Sequence, residues 1–176
     1  YEVAFFPEGG YIPAGTECRV AFKALSSAGK PESVTVKVID SSGREMAVSR
    51  TIHDGMGQFY ITARPDSTYY AVCTNSRGTE KRFQLPPACS GIYTLSTGQS
   101  GDTLLVSVLQ SADIGQEQEL FLLLHTRGII HYAKPWNHNF SAVSFNTESF
   151  PSGVIQIILF DSEMNPLSER LVFCAG

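Results

Sequence analysis

Polar and apolar residues alternate with a period of two along most of this chain. Cys18, Val20 and Phe22 share one face of a predicted strand, while Arg19 and Lys23 lie on the other face. Turn-forming Gly, Pro, Asn, Asp and Ser residues interrupt the alternation about every 8 to 12 residues. Because helical periodicity is almost absent, the pattern predicts an all-β fold of short strands.

The chain of 176 residues is long enough for two such folds. Residues 2–84 contain about seven predicted strands, the number that an immunoglobulin-type sandwich requires. The adjacent residues Pro86 and Pro87 then remove two donors from any strand ladder, and the alternation resumes beyond them. The sequence therefore predicts two consecutive seven-stranded immunoglobulin-like β-sandwiches, at residues 1–86 and 87–176.

Two segments of the second half are nearly continuously apolar, Leu120 to Leu124 and Val154 to Phe160. Such segments suit central strands that are covered on both faces, although a buried helix has the same composition over so few residues. Their lengths favour strands. Since strands do not alternate with helices of about 10 to 15 residues, parallel α/β nucleotide-binding folds are disfavoured.

The amino-acid composition and the charge pattern limit the kinds of partner that we expect for the chain. The 43% of apolar residues suffice for a core, and 13 Lys and Arg against 17 Asp and Glu include no basic block for nucleic acid. The longest stretch without charge, residues 83–101, contains Pro86, Pro87, Gly91 and Gly98, so we expect no membrane insertion. The chain opens without a leader or an initiator Met, and we expect it to be a segment of a longer protein.

Three stretches carry a family resemblance. They are Phe5-Phe6-Pro7-Glu8-Gly9-Gly10-Tyr11-Ile12-Pro13-Ala14-Gly15, followed by Val20-Ala21-Phe22-Lys23; His53-Asp54-Gly55-Met56-Gly57-Gln58-Phe59; and Pro151 to Phe173 with its Ser168-Glu169-Arg170-Leu171-Val172-Phe173 end. Together they resemble consecutive macroglobulin-like domains, of the kind called MG2, in bacterial α2-macroglobulin-type envelope proteins. That family includes large Gram-negative proteins that carry such domains beside a TonB-receptor-like plug.

The resemblance implies a structural and interaction segment of a larger protein, located in the periplasm or on the cell surface of a Gram-negative bacterium. It implies the other domains of the same parent chain as partners, with envelope proteins or glycans as further candidates. Protease-trapping members use a Cys-Gly-Glu-Gln thioester. Here the nearest string is Gly115-Gln116-Glu117-Gln118, which has no sulfur, so no thioester is expected in this segment.

Motifs of catalysis are missing from the sequence: there is no Gly-x-Ser-x-Gly elbow, His-Glu-x-x-His, P-loop or Gly-x-Gly-x-x-Gly opening a helix. We expect no enzymatic activity, cofactor or metal ion. The candidate metal ligands are three histidines, His125, His131 and His138. A two-residue turn at Arg127-Gly128 puts His125 and His131 on opposite strand faces, whereas a three-residue loop puts them on one face.

The segment Tyr132 to Phe140 supports an alternative function. It contains Trp136, the only tryptophan, beside Asn137, His138 and Asn139. An exposed aromatic platform with amide donors recognises sugars or a protein groove, which would make the chain a carbohydrate-binding or adhesive module. The other interpretation is that Trp136 folds back onto the core of the second sandwich.

The four cysteines allow disulfides or buried thiols. Cys18 and Cys73 could oppose each other between the sheets of the first sandwich, as in immunoglobulin domains. Cys89 enters the second domain and Cys174 leaves it, so these two could also pair if the first and last strands are neighbours.

The closely spaced glycines of His53-Asp54-Gly55-Met56-Gly57 permit an anion-binding loop, in which backbone N–H groups point at a ligand. No helix follows to add its dipole. We expect instead a β-hairpin in which the glycines supply positive φ between strands that end at His53 and start at Gln58.

Overall fold

The computed structural model describes residues 1–175 and confirms the all-β class with two consecutive seven-stranded sandwiches. The chain divides into two compact units, of which the first spans Tyr1–Ser90 and the second begins at Gly91. Short 3₁₀ turns at Glu8–Gly10 and Thr147–Ser149 are the helical elements of the described residues. None of these residues belongs to a helix long and apolar enough to cross a membrane.

The first unit has two antiparallel sheets and one short parallel pair. Its strands are β1 (Glu2–Pro7), β2 (Ile12–Pro13), β3 (Glu17–Leu25), β4 (Val34–Asp40), β5 (Glu45–Arg50), β6 (Met56–Thr62), β7 (Tyr69–Asn75), β8 (Glu80–Gln84) and β9 (Ala88–Cys89). One sheet has the order β1-β3-β6 and the other β5-β4-β7-β8, while β2 pairs with β9. Val20, Phe22, Val36 and Val38 are almost fully buried on the inner faces.

The second unit repeats this topology with seven strands. They are β10 (Tyr93–Ser100), β11 (Thr103–Gln110), β12 (Leu120–Thr126), β13 (Ile129–Pro135), β14 (Val143–Asn146), β15 (Gly153–Asp161) and β16 (Pro166–Cys174). The sheets have the orders β10-β11-β14 and β13-β12-β15-β16, which correspond strand for strand to those of the first unit. The inner face is apolar, with Leu122, Leu124, Ile157 and Leu159 at no more than 1% exposure.

The units divide four residues after the predicted position. The short strand β9 pairs in parallel with β2, and the Cys89 carbonyl accepts a hydrogen bond of 2.8 Å from the Ala14 N–H. Residues 87–90 therefore belong to the first unit, because the chain after Pro86 and Pro87 returns to the sheet edge before the second unit begins.

A buried ion pair holds the first macroglobulin-like stretch in place. The Glu8 carboxylate accepts hydrogen bonds from Arg19 Nε at 3.0 Å and from Nη2 at 2.7 Å, which tie the 3₁₀ turn to β3. Gly9 and Gly10 have φ of 76° and 101°, which lie in the region that favours glycine. Because the Glu8 carboxylate is bound by Arg19, this stretch has a structural role in the first unit.

The second stretch forms a tight turn, but the predicted hairpin is only a single bridge long. Asp54 and Gly55 have φ of 47° and 74°, and His53 pairs with Met56. β5 and β6 then enter different sheets, so the turn marks a crossing between sheets. A Cβ on Gly57 would lie 2.4 Å from the Phe22 ring, so this glycine makes room for a core aromatic.

Three hairpins share one turn design. Asp40, Asn75 and Asp161 each accept backbone N–H bonds from the second and fourth residues that follow. The third residue after each has positive φ, and it is Gly43 at 85°, Gly78 at 79° and Met164 at 63°. This conformation costs a non-glycine residue about 1 kcal/mol or more, so Met164 is the strained member of the set.

We expect Met164→Gly to stabilise the protein by about 1 kcal/mol, because it removes left-handed strain from an exposed turn. Urea unfolding monitored by fluorescence measures the change, and Gly78→Met is the matched variant, which should lose a similar amount. Destabilisation by Met164→Gly would show that the methionine side chain contributes more than its backbone costs.

Candidate functional site

The predicted sugar platform is absent because Trp136 belongs to the core. Its side chain is 8% exposed and lies in the buried cluster of the second unit with Leu120 and Phe150. The Trp136 N–H donates to the Leu120 carbonyl at 2.8 Å, which continues the pairing of β13 with β12. This burial agrees with the interpretation in which Trp136 folds back onto the core of the second sandwich, and a buried ring offers no face on which a sugar could stack.

The other residues of that segment bind their own fold. The half-buried Tyr132 ring meets Phe145 edge-on at 5.0 Å between centroids. His138 Nε2 donates to the Gln118 carbonyl at 2.6 Å, and Asn137 Oδ1 accepts from the Asn139 N–H at 3.0 Å. These contacts secure a loop against the second unit. They do not converge on one ligand position.

The three candidate histidines also make separate contacts and do not converge on one site. Arg127 and Gly128, with φ of 49° and 84°, form the two-residue turn of the β12–β13 hairpin, and His125 pairs with Ile130. His131 occupies a bulge, and its Nε2 lies 3.1 Å from Thr126 Oγ1 on the inner side. His125 faces outward. Among residues 1–175, no group of three or more His, Cys, Asp and Glu side chains is placed to hold a metal ion.

All four cysteines are free thiols in the structure. Cys18 and Cys73 lie buried in β3 and β7, which belong to the two different sheets of the first unit. Cys89 lies in the first unit and Cys174 in the second, so the predicted pairing of these two began from a wrong placement of Cys89. That residue stays with the first unit because β9 pairs with β2.

The feature that stands out is the side of the second unit's four-stranded sheet that points away from the core. We call it the outer face. By strand register it consists of Phe121, Leu123 and His125 of β12; Ile130, Ala133 and Pro135 of β13; Val154, Gln156, Ile158 and Phe160 of β15; and Glu169, Leu171 and Phe173 of β16. Ten of these thirteen residues are apolar.

Several of these apolar side chains are open to solvent. Ile130 is 62% exposed, Val154 51%, Leu171 61% and Phe173 63%, although large aliphatic and aromatic residues normally cover one another. Four strands about 4.8 Å apart and seven residues long span roughly 19 by 23 Å, or about 440 Å² of flat sheet. The largest apolar patch on a typical soluble monomer is about 300 to 600 Å² and is often functional, so the size of the outer face makes it the candidate for an interaction surface.

The corresponding face of the first unit is polar, which shows that the fold does not demand an apolar surface here. That face consists of Thr35, Lys37 and Ile39 of β4; Glu45, Val48 and Arg50 of β5; Tyr70, Val72 and Thr74 of β7; and Glu80, Arg82 and Gln84 of β8. Arg82 stacks over the Tyr70 ring at 3.8 Å. Five charged residues lie there, against the single carboxylate of Glu169 on the outer face.

An open groove of about 530 Å³ adjoins the outer face at its β12–β13 turn. Arg127, Ile129, Pro151 and Val154 contribute to its walls, and Val154 also belongs to the outer face. The groove extends the apolar surface and supplies one cation at its rim. Its polar lining is Thr126, Arg127 and Ser152, without a carboxylate or an imidazole beside these hydroxyl groups.

Sequence reasoning detected the unusual composition of β12 and β15 but misread its meaning. Apolar residues of both parities predicted strands covered on both faces. The structure buries the inner residues, such as Leu122 and Ile157, almost completely and leaves the outward Leu123 and Ile158 only partly buried. The outward Leu171 and Phe173 of the edge strand β16 are more than 60% exposed.

Among known proteins, similarity to this chain is found only in solved structures, and that similarity is one of fold. No protein-family model matches the chain, and no curated protein matches it. A biofilm-associated protein, BSP domain, is similar with a TM-score of 0.44 and 11% identity over 98% of this chain and 30% of that one. The chain therefore spans less than a third of that structure's length.

Two fibronectin arrays are also similar. A segment of two fibronectin type III domains from chicken tenascin has a TM-score of 0.36 and 10% identity, covering 98% of this chain and 96% of that one. The central fibronectin III array of a RIM-binding protein has a TM-score of 0.34 and 5% identity, covering 95% and 67%.

Burial predicts which cysteines react. Burial raises the pKa of Cys18 to about 11, assisted by the charges of Glu8 and Glu17, and raises that of Cys73 to about 12. Burial also raises the pKa of Cys174. Because the thiolate is the nucleophile, a thiol of pKa about 11 is only about one-thousandth ionised at pH 8.

At pH 8 we expect iodoacetamide to modify half-exposed Cys89 in the folded protein and to leave Cys18, Cys73 and Cys174 unmodified. Peptide mass spectrometry before and after unfolding measures this. Denaturant without reductant should release all three thiols. Resistance of Cys18 and Cys73 under those conditions would reveal the disulfide that the structure lacks.

Proposed function

We propose that this chain is a non-enzymatic structural and interaction segment of a larger macroglobulin-like protein located outside the cytoplasm. The observation that carries the proposal is the apolar outer face of the second unit beside its polar counterpart in the first. The main sheets of the two sandwiches have the same strand orders but differ in this surface, and we attribute the difference to what the surface contacts.

The roles of the macroglobulin-like stretches support a structural segment. Glu8 is engaged by Arg19, Gly57 accommodates Phe22, and the last stretch supplies the strands β15 and β16. Each stretch serves packing or a turn, as expected for residues that preserve a scaffold. The resemblance to macroglobulin-like domains, and with it the periplasm or surface of a Gram-negative bacterium, remains part of the proposal.

The chemistry of the outer face favours a protein partner over a glycan. Sugar sites combine aromatic faces with several amide and carboxylate groups, whereas this surface offers only His125, Gln156 and Glu169 as polar side chains. Burying Leu171, Phe173 and Val154 against an apolar surface yields roughly 25 cal/mol per Å² removed from water. Other domains of the parent chain and envelope proteins are partners of this kind.

Binding of the dye 8-anilinonaphthalene-1-sulfonate at about 1 µM protein tests whether the outer face is an accessible apolar surface. Leu171→Glu should reduce the fluorescence increase severalfold, because it places a charge within the apolar patch. Val48→Glu is the matched control, since Val48 is 63% exposed on the polar face of the first unit and Leu171 is 61% exposed.

We expect Val48→Glu to bind dye as the parent does, and circular dichroism should show both variants folded. Equal loss in the two variants, or no dye binding by the parent, would contradict the proposal.

A further inference from the structure

We propose that the outer face is the contact surface between two copies of this chain, packed face to face about a twofold axis that runs along the strands. This rests on the proposed function and names the partner as a second copy. In this arrangement β12 lies over β15 of the second copy, and β13 lies over its β16. Sheets packed in this way cross at about 30° and lie about 10 Å apart.

The available area suits a weak dimer. Two flat faces of about 440 Å² give nearly 900 Å² before side-chain relief is counted, and specific interfaces begin near 1,000 to 1,200 Å² in total. We therefore expect dissociation at micromolar concentrations.

The polar residues of the outer face favour a twofold axis along the strands over one across them. His125 and Gln156 are cross-strand neighbours near the middle of the outer face. With the axis along the strands, His125 of one copy opposes Gln156 of the second copy, and the symmetric pair forms at the same time. The Gly128 N–H donates to His125 Nδ1 at 3.2 Å, which leaves the proton of the neutral ring on Nε2 as a donor for the amide oxygen.

An axis across the strands places the same groups badly. When it passes between this row of residues and the next, it sets His125 over Leu123 of the second copy, and Gln156 over Ile158. Both polar groups would then be buried against aliphatic side chains, at a cost of roughly 1 to 3 kcal/mol each. Only the axis along the strands places His125 of one copy opposite Gln156 of the second copy.

Charge does not oppose this packing. Glu169 is the one carboxylate of the outer face and lies on the edge strand β16, opposite Ala133 of the second copy. The two copies of Glu169 stand on opposite edges of the interface, about three strand spacings or 14 Å apart. That distance exceeds the screening length of about 10 Å at 0.1 M salt.

Sedimentation velocity of the full chain between about 1 and 500 µM tests the dimer, because association at micromolar affinity is populated across that range. The parent should shift from monomer to dimer. Leu171→Glu should remain monomeric, and Val48→Glu should dimerise as the parent does. A parent that stays monomeric throughout, or equal loss in both variants, would overturn the inference.

The dye measurement separates the two failures. Dye binding that depends on Leu171, in a chain that never dimerises, would overturn the second copy as partner and leave the proposed interaction surface intact. Absence of both dye binding and dimerisation would overturn both.

Cross-linking tests the axis. In a Cys89→Ser background, Ile130→Cys with Leu171→Cys should give a disulfide-linked dimer under mild oxidation, because these positions oppose each other between copies. Within one copy they stand about three strands apart, too far for a bridge. Ile130→Cys with Ala133→Cys is the control, which should cross-link only if the axis runs across the strands. Cross-linking of the control alone would overturn the proposed axis.

Discussion

The register between β12 and β15 is the constraint on which the second unit depends. Leu122 lies opposite Leu159, and Leu124 opposite Ile157, so these four residues fill the core. Because side chains of a strand alternate between faces, the same register sends Leu123 and Ile158 outward. A shift of one residue would exchange two apolar sets of similar size. The inner set forms the core because the three-stranded sheet packs against it, with Leu95 in the same buried cluster.

The two units show how one scaffold supports different surfaces. Their strand orders are identical, and both cores are built from inward aliphatic residues. The outward positions are free to vary, since they contribute little to either core. In the first unit, Lys37 and Arg82 make the outward face of the four-stranded sheet polar. In the second unit, Leu171 and Phe173 make the outer face apolar. The proposed interaction surface of this chain therefore lies in outward positions.

Local sequence chemistry predicted the strands and the fold class well, because strand alternation and turn residues act over a few residues. Gly55 has the expected positive φ, whereas the second residue of the turn with positive φ is Asp54 and not Gly57. Contacts between distant segments were not predictable. The pairing of β9 with β2 moved Cys89 into the first unit, and the sequence alone left open whether Trp136 is exposed or packs in the core, as it does beside Leu120 and Phe150.

The candidate site escaped sequence reasoning for a related reason. Apolar residues at Leu123 and Ile158 are equally compatible with a second covering layer and with an open face, and only the sheet order decides between them. The seven strands of the second unit form its two sheets, and among residues 91–175 no further strand covers the outer face. That outcome is a property of the whole sandwich, which no local pattern contains.

The most direct test of the outer face as the contact surface is a dilution series of amide nitrogen–proton NMR spectra, from about 500 to 10 µM, the range in which a micromolar complex dissociates. The account predicts that the shifting signals cluster in β12, β13, β15 and β16, while those of β4, β5, β7 and β8 stay fixed. Shifts confined to the first unit, or no shifts at any concentration, would contradict it.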